Sequence, residues 1–137
     1  MDFANFGTVS FTTESKTIDF INYLEQGKVM ATRCKKCGTS YSPPKMDCPK
    51  CLISDMKWFE IKENGKLITY TVVNYGPSGF ENDIPYILAI GEFEDGIRIF
   101  SRLSRDIKES DIKVGMSVKV APVKLVEDRI IYELQKT

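Results

Sequence analysis

The chain has 137 residues, of which 42% are hydrophobic, and its 19 basic and 19 acidic residues leave no net formal charge. This length fits one ordinary domain or two very small ones, and the absence of histidine excludes Ser-His-Asp systems, histidine general bases and His-containing catalytic zinc sites. No apolar run approaches the roughly 18–20 residues of a membrane span, and the first residues do not resemble a secretory signal. We therefore expect a soluble, cytoplasmic protein with no membrane partner.

The first 27 residues predict an arm followed by one short helix. Residues 1–12 mix Phe, Gly and Thr without periodicity and are expected to order only against a partner. Residues 15–26 place four apolar side chains on one helical face, those of Ile18, Phe20, Ile21 and Leu24. Ser15 or Thr17 is expected to cap the start, and Gly27 to end the helix in a left-handed conformation. Such a short helix must pack on the next module or on another protein.

The four cysteines of the chain form two C-x2-C pairs separated by ten residues, and they are Cys34, Cys37, Cys48 and Cys51. Two such pairs facing each other place four sulfurs in a tetrahedron, the arrangement that zinc takes in closed structural sites. The alternatives are two disulfides or four unrelated core thiols. Disulfides lack support because nothing indicates an oxidising compartment, and unrelated thiols would not show this symmetric spacing. The pattern therefore predicts a four-cysteine metal site.

The identity and role of this metal follow from the ligand set. Thiolates favour zinc over iron, but four thiolates do not exclude a rubredoxin-like iron centre that transfers electrons. Four protein ligands leave no open position for water or substrate, so the metal is expected to be structural and not catalytic. We assign the metal module to residues 28–60, with the stiff sequence Tyr-Ser-Pro-Pro (41–44) between the two cysteine pairs.

The metal module is also the most basic part of the chain. Residues 28–62 contain eight bases and three acids. Four of these bases lie beside the cysteines and are candidates to contact phosphate or a partner: Arg33, Lys35, Lys36 and Lys50. The alternative is that they form an ordinary solvated surface, which is common for lysines on a small ribbon.

Residues 61–137 predict a small β-domain. Five stretches alternate or are rich in β-branched and aromatic residues, and they cover 67–74, 86–93, 97–103, 116–126 and 129–134. Five strands with an insertion between the third and fourth fit the OB-fold barrel, whereas a sandwich normally needs about seven strands. The connection 76–85 is long for a hairpin and carries Phe80 at its middle. It is expected to face a ligand or partner, unless Phe80 only covers the barrel end.

The order of these features resembles a family of small proteins in which a rubredoxin-like zinc ribbon is joined to an OB-fold, formerly a domain of unknown function. The resemblance spans about residues 20–120 and rests on FINYLEQGKVMATRCKKCG, PPKMDCPKC, Trp58, GKLITYTVV, PYILAIGEFEDGIRIFSRL and VGMSVKV. The implied fold is mainly β with a small α part: an N-terminal helix, a four-cysteine ribbon and a five-stranded barrel. One departure is Leu52 after the final cysteine, where many relatives have glycine, which is expected to alter a turn.

The resemblance also implies a function. Family members associate with thiolases and other acyl-CoA enzymes, and archaeal members bridge a thiolase to hydroxymethylglutaryl-CoA synthase and share in binding CoA. The chain is thus expected to be a non-catalytic accessory or scaffold subunit of an acyl-CoA condensing complex, with zinc as its metal and the catalytic residues in its partners. In this reading Arg33, Lys35, Lys36, Lys50 and Phe80 are candidate contacts to CoA or to the partner.

The alternative function is single-stranded nucleic-acid binding, because zinc ribbons and OB-folds both recur in such proteins. Four aromatic residues on or beside predicted strands could stack on bases: Tyr70, Tyr75, Tyr86 and Phe100. Core packing is the competing explanation for these aromatics. The zero net charge and a pI near 6.3 argue against nucleic acid as a partner.

Overall fold

Two antiparallel sheets form the framework of the chain in the computed structural model, which describes residues 1–10 and 12–137. The strands are β1 (Met30–Cys34), β2 (Ser40–Tyr41), β3 (Met56–Glu60), β4 (Gly65–Val73), β5 (Tyr86–Glu92), β6 (Arg98–Arg102), β7 (Ser117–Leu125) and β8 (Arg129–Lys136). One sheet has the order β2-β1-β3, and the other has the order β6-β5-β4-β7-β8. A single α-helix, α1 (Asp19–Glu25), precedes both sheets in the described part of the chain. The predicted mainly β fold class is confirmed.

Helix α1 begins four residues later than its apolar pattern predicts. Ile18 stands at its N-cap position with helical backbone angles and makes no capping hydrogen bond through its side chain. The hydroxyls of Ser15 and Thr17 lie 3.0 Å from each other and cap no helix, so the capping prediction is wrong. Both residues belong to the turn that leads into α1, where Ile18 N–H donates to Ser15 O.

The end of α1 follows the prediction. Gly27 has φ 85°, and its N–H donates to Leu24 O while Lys28 N–H donates to Tyr23 O. These two bonds form a Schellman motif, which satisfies the last carbonyls of the helix. Among the described residues, no helix is long and apolar enough to cross a membrane.

Helix α1 packs on both sheets. Its buried face consists of Phe20, Ile21 and Leu24. The ring of Phe20 meets Tyr132 of β8 edge-on, with centroids 5.6 Å apart, and Tyr23 lies 5.5 Å from Trp58 of β3. The predicted packing of the helix on the metal module therefore occurs, and the helix also packs on the five-stranded sheet.

The five-stranded sheet curls into a barrel. Strand β4 pairs with β5 along its length, but it pairs with β7 only at Gly65 and Lys66. The ends of the sheet approach each other where Leu103 forms a parallel bridge with Leu134, and Ser104 N–H donates to Leu134 O at 2.8 Å. This closure joins the third and fifth barrel strands, β6 and β8, as expected for an OB-fold.

The core fills the barrel and continues under α1. Its fully buried large side chains include Ile21, Leu24, Leu67, Ile99, Leu103, Val118, Ile130 and Leu134. A second, smaller cluster surrounds the cysteines and contains Met56. The chain thus buries one main core, to which both the helix and the first sheet contribute.

The N-terminal arm lies along β8. Phe6 forms a parallel bridge with Ile130, and its ring is 6.1 Å from Tyr132 and 6.0 Å from Phe20. The amino group of Met1 pairs with Glu25 at 2.5 Å. The expectation that the arm orders only against a partner is therefore wrong for residues 1–10, because the barrel itself offers an aromatic surface for Phe6. Phe11, which belongs to the same predicted arm, lies outside the described residues.

Arg33 of β1 connects the first sheet to the barrel. Its guanidinium forms an ion pair with Asp95 in the β5–β6 turn, its Nε donates to Ser40 Oγ at 3.1 Å, and its Cζ lies 4.4 Å from the Phe59 ring centroid. Asp95 and Gly96 have φ of 58° and 70°, which fits a tight turn between β5 and β6. Arg33 thus holds the two sheets together, and its proposed contact with CoA or a partner stays a prediction.

Candidate metal centre and exposed barrel face

The two cysteine pairs adopt the same local structure. Cys34 ends β1, and Gly38 N–H donates back to Cys34 O with φ 75° at the glycine. In the second pair, Leu52 N–H donates to Cys48 O with φ 56°. Leu52 therefore occupies the position and the left-handed conformation that Gly38 occupies in the first turn. The turn therefore carries a side chain that is 86% exposed, and the expected difference from relatives that have glycine here stays a prediction.

The four thiol sulfurs converge on one point. All of them lie within 4.8 Å of one another, and the sulfurs of Cys37 and Cys48 are 3.7 Å apart. A tetrahedral site with Zn–S bonds of about 2.3 Å has sulfur–sulfur edges of about 3.8 Å, whereas a disulfide has an S–S bond of about 2.05 Å. The arrangement fits a tetrathiolate metal site, and none of the four cysteines forms a disulfide.

Cys48 receives the most hydrogen bonds in this cluster. It is 1% exposed, the Tyr41 hydroxyl lies 3.4 Å from its sulfur, and Cys51 N–H donates to the same sulfur at 3.5 Å. The hydrogen bond with Tyr41 is the main cause that lowers the pKa of Cys48 to about 6, although burial opposes ionisation. The same contact raises the pKa of Tyr41 to about 12. The Tyr41 hydroxyl therefore stays protonated and stabilises a thiolate at Cys48.

The more exposed cysteines differ from each other. The sulfur of Cys37 lies 3.3 Å from Thr39 Oγ1, and hydrogen bonds with Thr39 lower the pKa of this thiol. Burial is the main cause that raises the pKa of the Cys51 thiol to about 12, and its contacts with the other three thiols act in the same direction. A divalent cation at the centre would reverse that preference, because a coordinating thiol is deprotonated. The donor set therefore fits a soft divalent metal held by four thiolates.

The segment between the cysteine pairs is fixed by Thr32. This residue of β1 is fully buried, its hydroxyl donates to Lys45 O at 2.7 Å, and Lys45 N–H donates to Thr32 Oγ1 at 2.9 Å. The contact holds Lys45 where its Nζ lies 5.3 Å from the centroid of the Tyr41 ring. The predicted stiff segment thus places a cation and an aromatic hydroxyl beside the metal site.

The three lysines predicted to contact phosphate or a partner lie at the surface of the metal module. Lys35 pairs with Asp55 at 3.3 Å, and Lys50 Nζ donates to Thr39 Oγ1 at 3.4 Å. Lys36 is exposed and has no ion pair or side-chain hydrogen bond with the described residues. Their role in binding CoA or a partner stays a prediction.

An apolar groove of about 360 Å³ lies on the outer face of the barrel, between the arm, the 76–85 loop and strands β5, β6 and β8. Its apolar lining includes Val9, Phe80, Tyr86, Leu88, Phe100 and Tyr132. Phe100 is 61% exposed, whereas its neighbours Ile99 and Ser101 are buried. Phe80 lies 6.1 Å from Tyr86, so the loop that carries it contributes to this surface. We call this surface the barrel groove.

The four aromatic residues considered for base stacking occupy different surroundings. Tyr70 is half-buried against the core, and Tyr75 is exposed in the loop after β4. Tyr86 and Phe100 both line the barrel groove. Core packing therefore does not explain Phe100. Its position in the sequence indicates this, because Phe100 lies on the same face of β6 as Arg98 and Arg102, two residues away on either side.

Sequence reasoning missed the polar residues that organise these two regions. Tyr41 and Thr39 contact the cysteine sulfurs, and Asp83 fixes the loop beside the barrel groove through Arg102 and Thr8. The position of Thr39 directly after the first turn gave a weak indication. Asp83 gave none, because its partners are 19 and 75 residues away in the sequence. Tyr41 gave none, because its contact with Cys48 depends on the course of the loop between them.

Two family models match the chain. The model described as "ChsH2, rubredoxin-like zinc ribbon domain" matches residues 22–56, and that described as "ChsH2, C-terminal OB-fold domain" matches residues 58–122. A protein of Methanocaldococcus jannaschii named "DUF35 domain-containing scaffold protein" is 38% identical over 101 residues, which cover 73% of this chain and 71% of that protein. These findings confirm the family resemblance.

Two further relatives have enzymatic names. A "Probable enoyl-CoA hydratase alpha subunit" of Thermomonospora curvata is 32% identical over 95 residues, which are 69% of this chain but 29% of that protein. Among solved structures, a chain of the "Ltp2-ChsH2(DUF35) aldolase" superposes with a TM-score of 0.76 at 22% identity, covering 92% of this chain and 98% of the other. At that identity, the superposition shows a shared fold.

Proposed function

Because the chain belongs to the DUF35 family of proteins with a ChsH2-type zinc ribbon and OB-fold, we propose that it is a non-catalytic scaffold subunit of an acyl-CoA condensing complex. It bridges a thiolase to hydroxymethylglutaryl-CoA synthase or a similar cytoplasmic enzyme and helps to bind or channel acyl-CoA. The observation that carries the proposal is the 38% identity with a protein named as a scaffold, over most of both chains. The name of another relative, an enoyl-CoA hydratase alpha subunit, supports a partner that handles acyl-CoA.

The barrel groove supports docking to another protein. Folding leaves Phe100 61% exposed between two arginines, and Phe80 and Leu88 extend the apolar surface around it. Aromatic residues near arginine are typical of the centres of protein interfaces. We propose that the partner enzyme covers this groove and that the barrel (residues 61–137) supplies the main docking surface.

The metal module (residues 28–60) serves in this proposal as a rigid second contact. We propose that zinc occupies the four-cysteine site and has a structural role, because four thiolates leave no open position. Lys36 and its neighbours Lys35 and Lys50 would then face the phosphates of CoA at the edge of the complex. The sequence contains no histidine, and we propose that the partner supplies the catalytic residues.

Recovery of partners from the native host tests the proposal. The tagged full-length chain is expected to bring down a thiolase, alone or with hydroxymethylglutaryl-CoA synthase, in stoichiometric amounts. Phe100→Ser is expected to lose most of this enzyme, because it removes an exposed aromatic ring without disturbing the core. Val114→Ser is the matched control, since Val114 is 66% exposed but lies on the β6–β7 connection.

Two results would contradict the proposal. Recovery of no acyl-CoA enzyme by the wild-type chain would reject the scaffold role. Equal recovery by the wild type, Phe100→Ser and Val114→Ser would leave the scaffold role intact but reject the barrel groove as the docking surface.

The exposure of Phe100 also favours a second candidate function, single-stranded nucleic-acid binding. Phe100 lies between Arg98 and Arg102 on an OB-fold face that binds oligonucleotides in other proteins. The zero net charge opposes this function. Titration of a fluorescent single-stranded oligonucleotide with the protein at low salt distinguishes the two functions. Binding would support the nucleic-acid function, and the scaffold proposal predicts no binding.

A further inference from the structure

Two of the four metal-site sulfurs are each approached by a hydroxyl group that has a lysine beside it. In the first set, the Tyr41 hydroxyl lies 3.4 Å from Cys48 Sγ, and Lys45 Nζ lies 5.3 Å from the Tyr41 ring centroid. In the second set, Thr39 Oγ1 lies 3.3 Å from Cys37 Sγ, and Lys50 Nζ is 3.4 Å from the same oxygen. The two sets serve one cysteine from each pair.

The direction of these hydrogen bonds follows from the protonation of the groups. A sulfur that coordinates a metal has lost its proton and only accepts hydrogen bonds. Tyr41 must therefore donate its hydroxyl proton to Cys48. At Thr39, the thiol form of Cys37 donates to Oγ1 at 3.3 Å, and Lys50 Nζ donates to the same oxygen. Once metal coordination removes the thiol proton, this bond reverses and the Thr39 hydroxyl donates to the sulfur.

Each lysine strengthens the donor in front of it. A cation over an aromatic ring withdraws electron density from the phenol, and a cation bound to an alcohol oxygen polarises its O–H bond. Lys45 is held in position by the two hydrogen bonds between its backbone and the buried Thr32. The backbone of Lys45 is thus fixed beside Tyr41, and its exposed side chain extends over the Tyr41 ring.

These contacts compensate the negative charge of the metal site. Four thiolates and one divalent ion carry a net charge of −2, and two of the cysteines, Cys34 and Cys48, are 1% exposed. Buried charge is costly unless it is paired and hydrogen-bonded. Two lysines and two hydroxyl donors supply this compensation on the two sides of the cluster.

We propose that Tyr41 with Lys45, and Thr39 with Lys50, act as positioning residues that donate to the metal-bound sulfurs of Cys48 and Cys37 and lower their nucleophilicity. The hydroxyl protons draw electron density from sulfur, so that the thiolates react more slowly with electrophiles and release the metal more slowly. Contacts of this kind around metal ligands commonly change metal affinity by about 10–100-fold. The proposal does not depend on the scaffold role.

Cobalt substitution tests whether the donors act on sulfur. The full-length chain is loaded with one equivalent of Co²⁺, and its sulfur-to-cobalt charge-transfer band is recorded. Tyr41→Phe keeps the ring and removes the donor, and Thr39→Val does the same for the alcohol. Both variants are expected to shift the band to lower energy, because sulfur lone pairs that lose a donor rise in energy. Tyr75→Phe, at a fully exposed tyrosine away from the cysteines, is expected to leave the band in place.

Reaction rates give a second readout on zinc-loaded protein. Iodoacetamide is expected to alkylate Tyr41→Phe about tenfold faster than wild type, and a chromophoric chelator is expected to remove its zinc faster by a similar factor. Lys45→Met, which leaves every donor in place, is expected to show a smaller change in the same direction. A purely structural role for Tyr41 would change the thermal stability without moving the cobalt band.

The results distinguish the role of the hydroxyl donors from that of Lys45. Wild-type band position and alkylation rate in both Tyr41→Phe and Thr39→Val would overturn the proposal. A shifted band in the hydroxyl variants with no change in Lys45→Met would overturn the role of that lysine and retain that of the donors. If Tyr41→Phe fails to bind cobalt, Thr39→Val at the more exposed Cys37 decides the question alone.

Discussion

Leu52 occupies a backbone conformation that residues with a side chain rarely adopt. Its φ of 56° matches that of a left-handed turn, and the corresponding position after the first cysteine pair is Gly38. For a residue with a Cβ atom this conformation costs about 1–2 kcal/mol. The leucine side chain is almost fully exposed, so it gains little from packing in return.

We therefore predict that Leu52→Gly stabilises the metal-loaded protein by about 0.5–1 kcal/mol, after allowance for the greater entropy of glycine in the unfolded chain. Leu52→Ala is the control, since it removes the same exposed side chain but keeps the strained conformation, and it should change stability little. Thermal unfolding of the three zinc-loaded proteins measures the difference. Equal stability of the Gly and Ala variants would show that the conformation costs nothing.

Asp83 is the polar centre of the loop beside the barrel groove. Its Oδ2 accepts hydrogen bonds from Thr8 Oγ1 at 3.0 Å and from Arg102 Nη2 at 3.2 Å, and Arg105 lies 3.6 Å from Oδ1. Burial opposes ionisation of this carboxyl, but the hydrogen bonds from Arg102 and Thr8 and the two arginine charges hold its pKa below the ordinary value. The ionised carboxylate thus joins the arm, the loop and β6.

A depressed pKa gives the sign of the pH dependence. The folded state binds the proton of Asp83 more weakly than the unfolded state, so the stabilisation is complete above the ordinary aspartate pKa of about 3.9 and is lost as the pH falls through the lower folded value. We predict that Asp83→Asn is less stable than wild type by about 1–2 kcal/mol at pH 7 and that the difference shrinks below about pH 4.

Urea unfolding of wild type, Asp83→Asn and Asp106→Asn across this range tests the prediction. Asp106 is exposed and serves as the control for loss of one negative charge. Protonation of the cysteines affects all three proteins alike, so only the differences between them are compared. A difference between wild type and Asp83→Asn that stays constant down to acid pH would contradict the assignment.

The convergence of the four cysteine sulfurs could be predicted from sequence alone, whereas their surroundings could not. The spacing of Cys34, Cys37, Cys48 and Cys51 favours a common ion in a fold that brings the pairs together, and their role as metal ligands stays a prediction. The contact of Tyr41 with Cys48 depends on the course of the segment between the pairs, which Thr32 fixes from another strand. A side chain whose partner is set by tertiary packing leaves no periodic pattern to detect.

At the scale of elements, the barrel strands were predictable and the start of the helix was not. The five predicted strands agree with β4 to β8 within about two residues at each end, because alternation marks every half-buried strand. The first sheet was missed because β2 has only two residues and because β1 and β3 do not alternate between buried and exposed positions. The helix prediction began too early because Ser15 and Thr17 resemble caps, yet their hydroxyls bond to each other.

Strand β4 depends on a glycine where it meets both neighbouring strands. Gly65 pairs with Val118 of β7, and a Cβ atom at this position would collide with the backbone oxygen of Glu92 and lie 2.8 Å from the ring of Phe93. The Phe93 ring also lies over Gly91 of β5, where an added Cβ would be 2.9 Å away. The two glycines therefore create the space that buries Phe93 in the barrel.

We predict that Gly65→Ala destabilises the protein by about 1–3 kcal/mol, because a backbone oxygen and a packed ring must both move. Thr71→Ala, at an exposed position of the same strand, is the control and should cost less than about 1 kcal/mol. Chemical denaturation of both variants measures the difference. A Gly65→Ala protein as stable as Thr71→Ala would show that the barrel relaxes around the extra methyl group.

At the scale of the whole molecule, the metal module and the barrel are joined by few polar contacts. Arg33 reaches from β1 to Asp95 in the β5–β6 turn. Directly after the metal module, Lys62 N–H donates to Glu94 Oε1 in the same turn at 3.1 Å. The sequence placed Arg33 with the lysines as a surface base, because charge alone does not distinguish an outward contact from one between two parts of the same chain. The orientation of the two modules, which any bridging function would need, rests in part on this arginine.

A double-mutant cycle measures what the Arg33–Asp95 contact contributes. Both side chains are more than a third exposed, so an attraction of about 0.2–1 kcal/mol is expected. We predict a coupling energy in this range for Arg33→Met with Asp95→Asn, from urea unfolding at low and high salt. Arg33→Met alone should cost more than the coupling energy, because it also loses the stacking on Phe59 and the hydrogen bond to Ser40.

The pair Lys35–Asp55, confined to the metal module, is the control and should show a smaller coupling energy. Suppose instead that the cycle gives no coupling energy and that Arg33→Met is as stable as wild type but recovers less of the partner enzyme. Arg33 would then contact the partner and would not join the two modules.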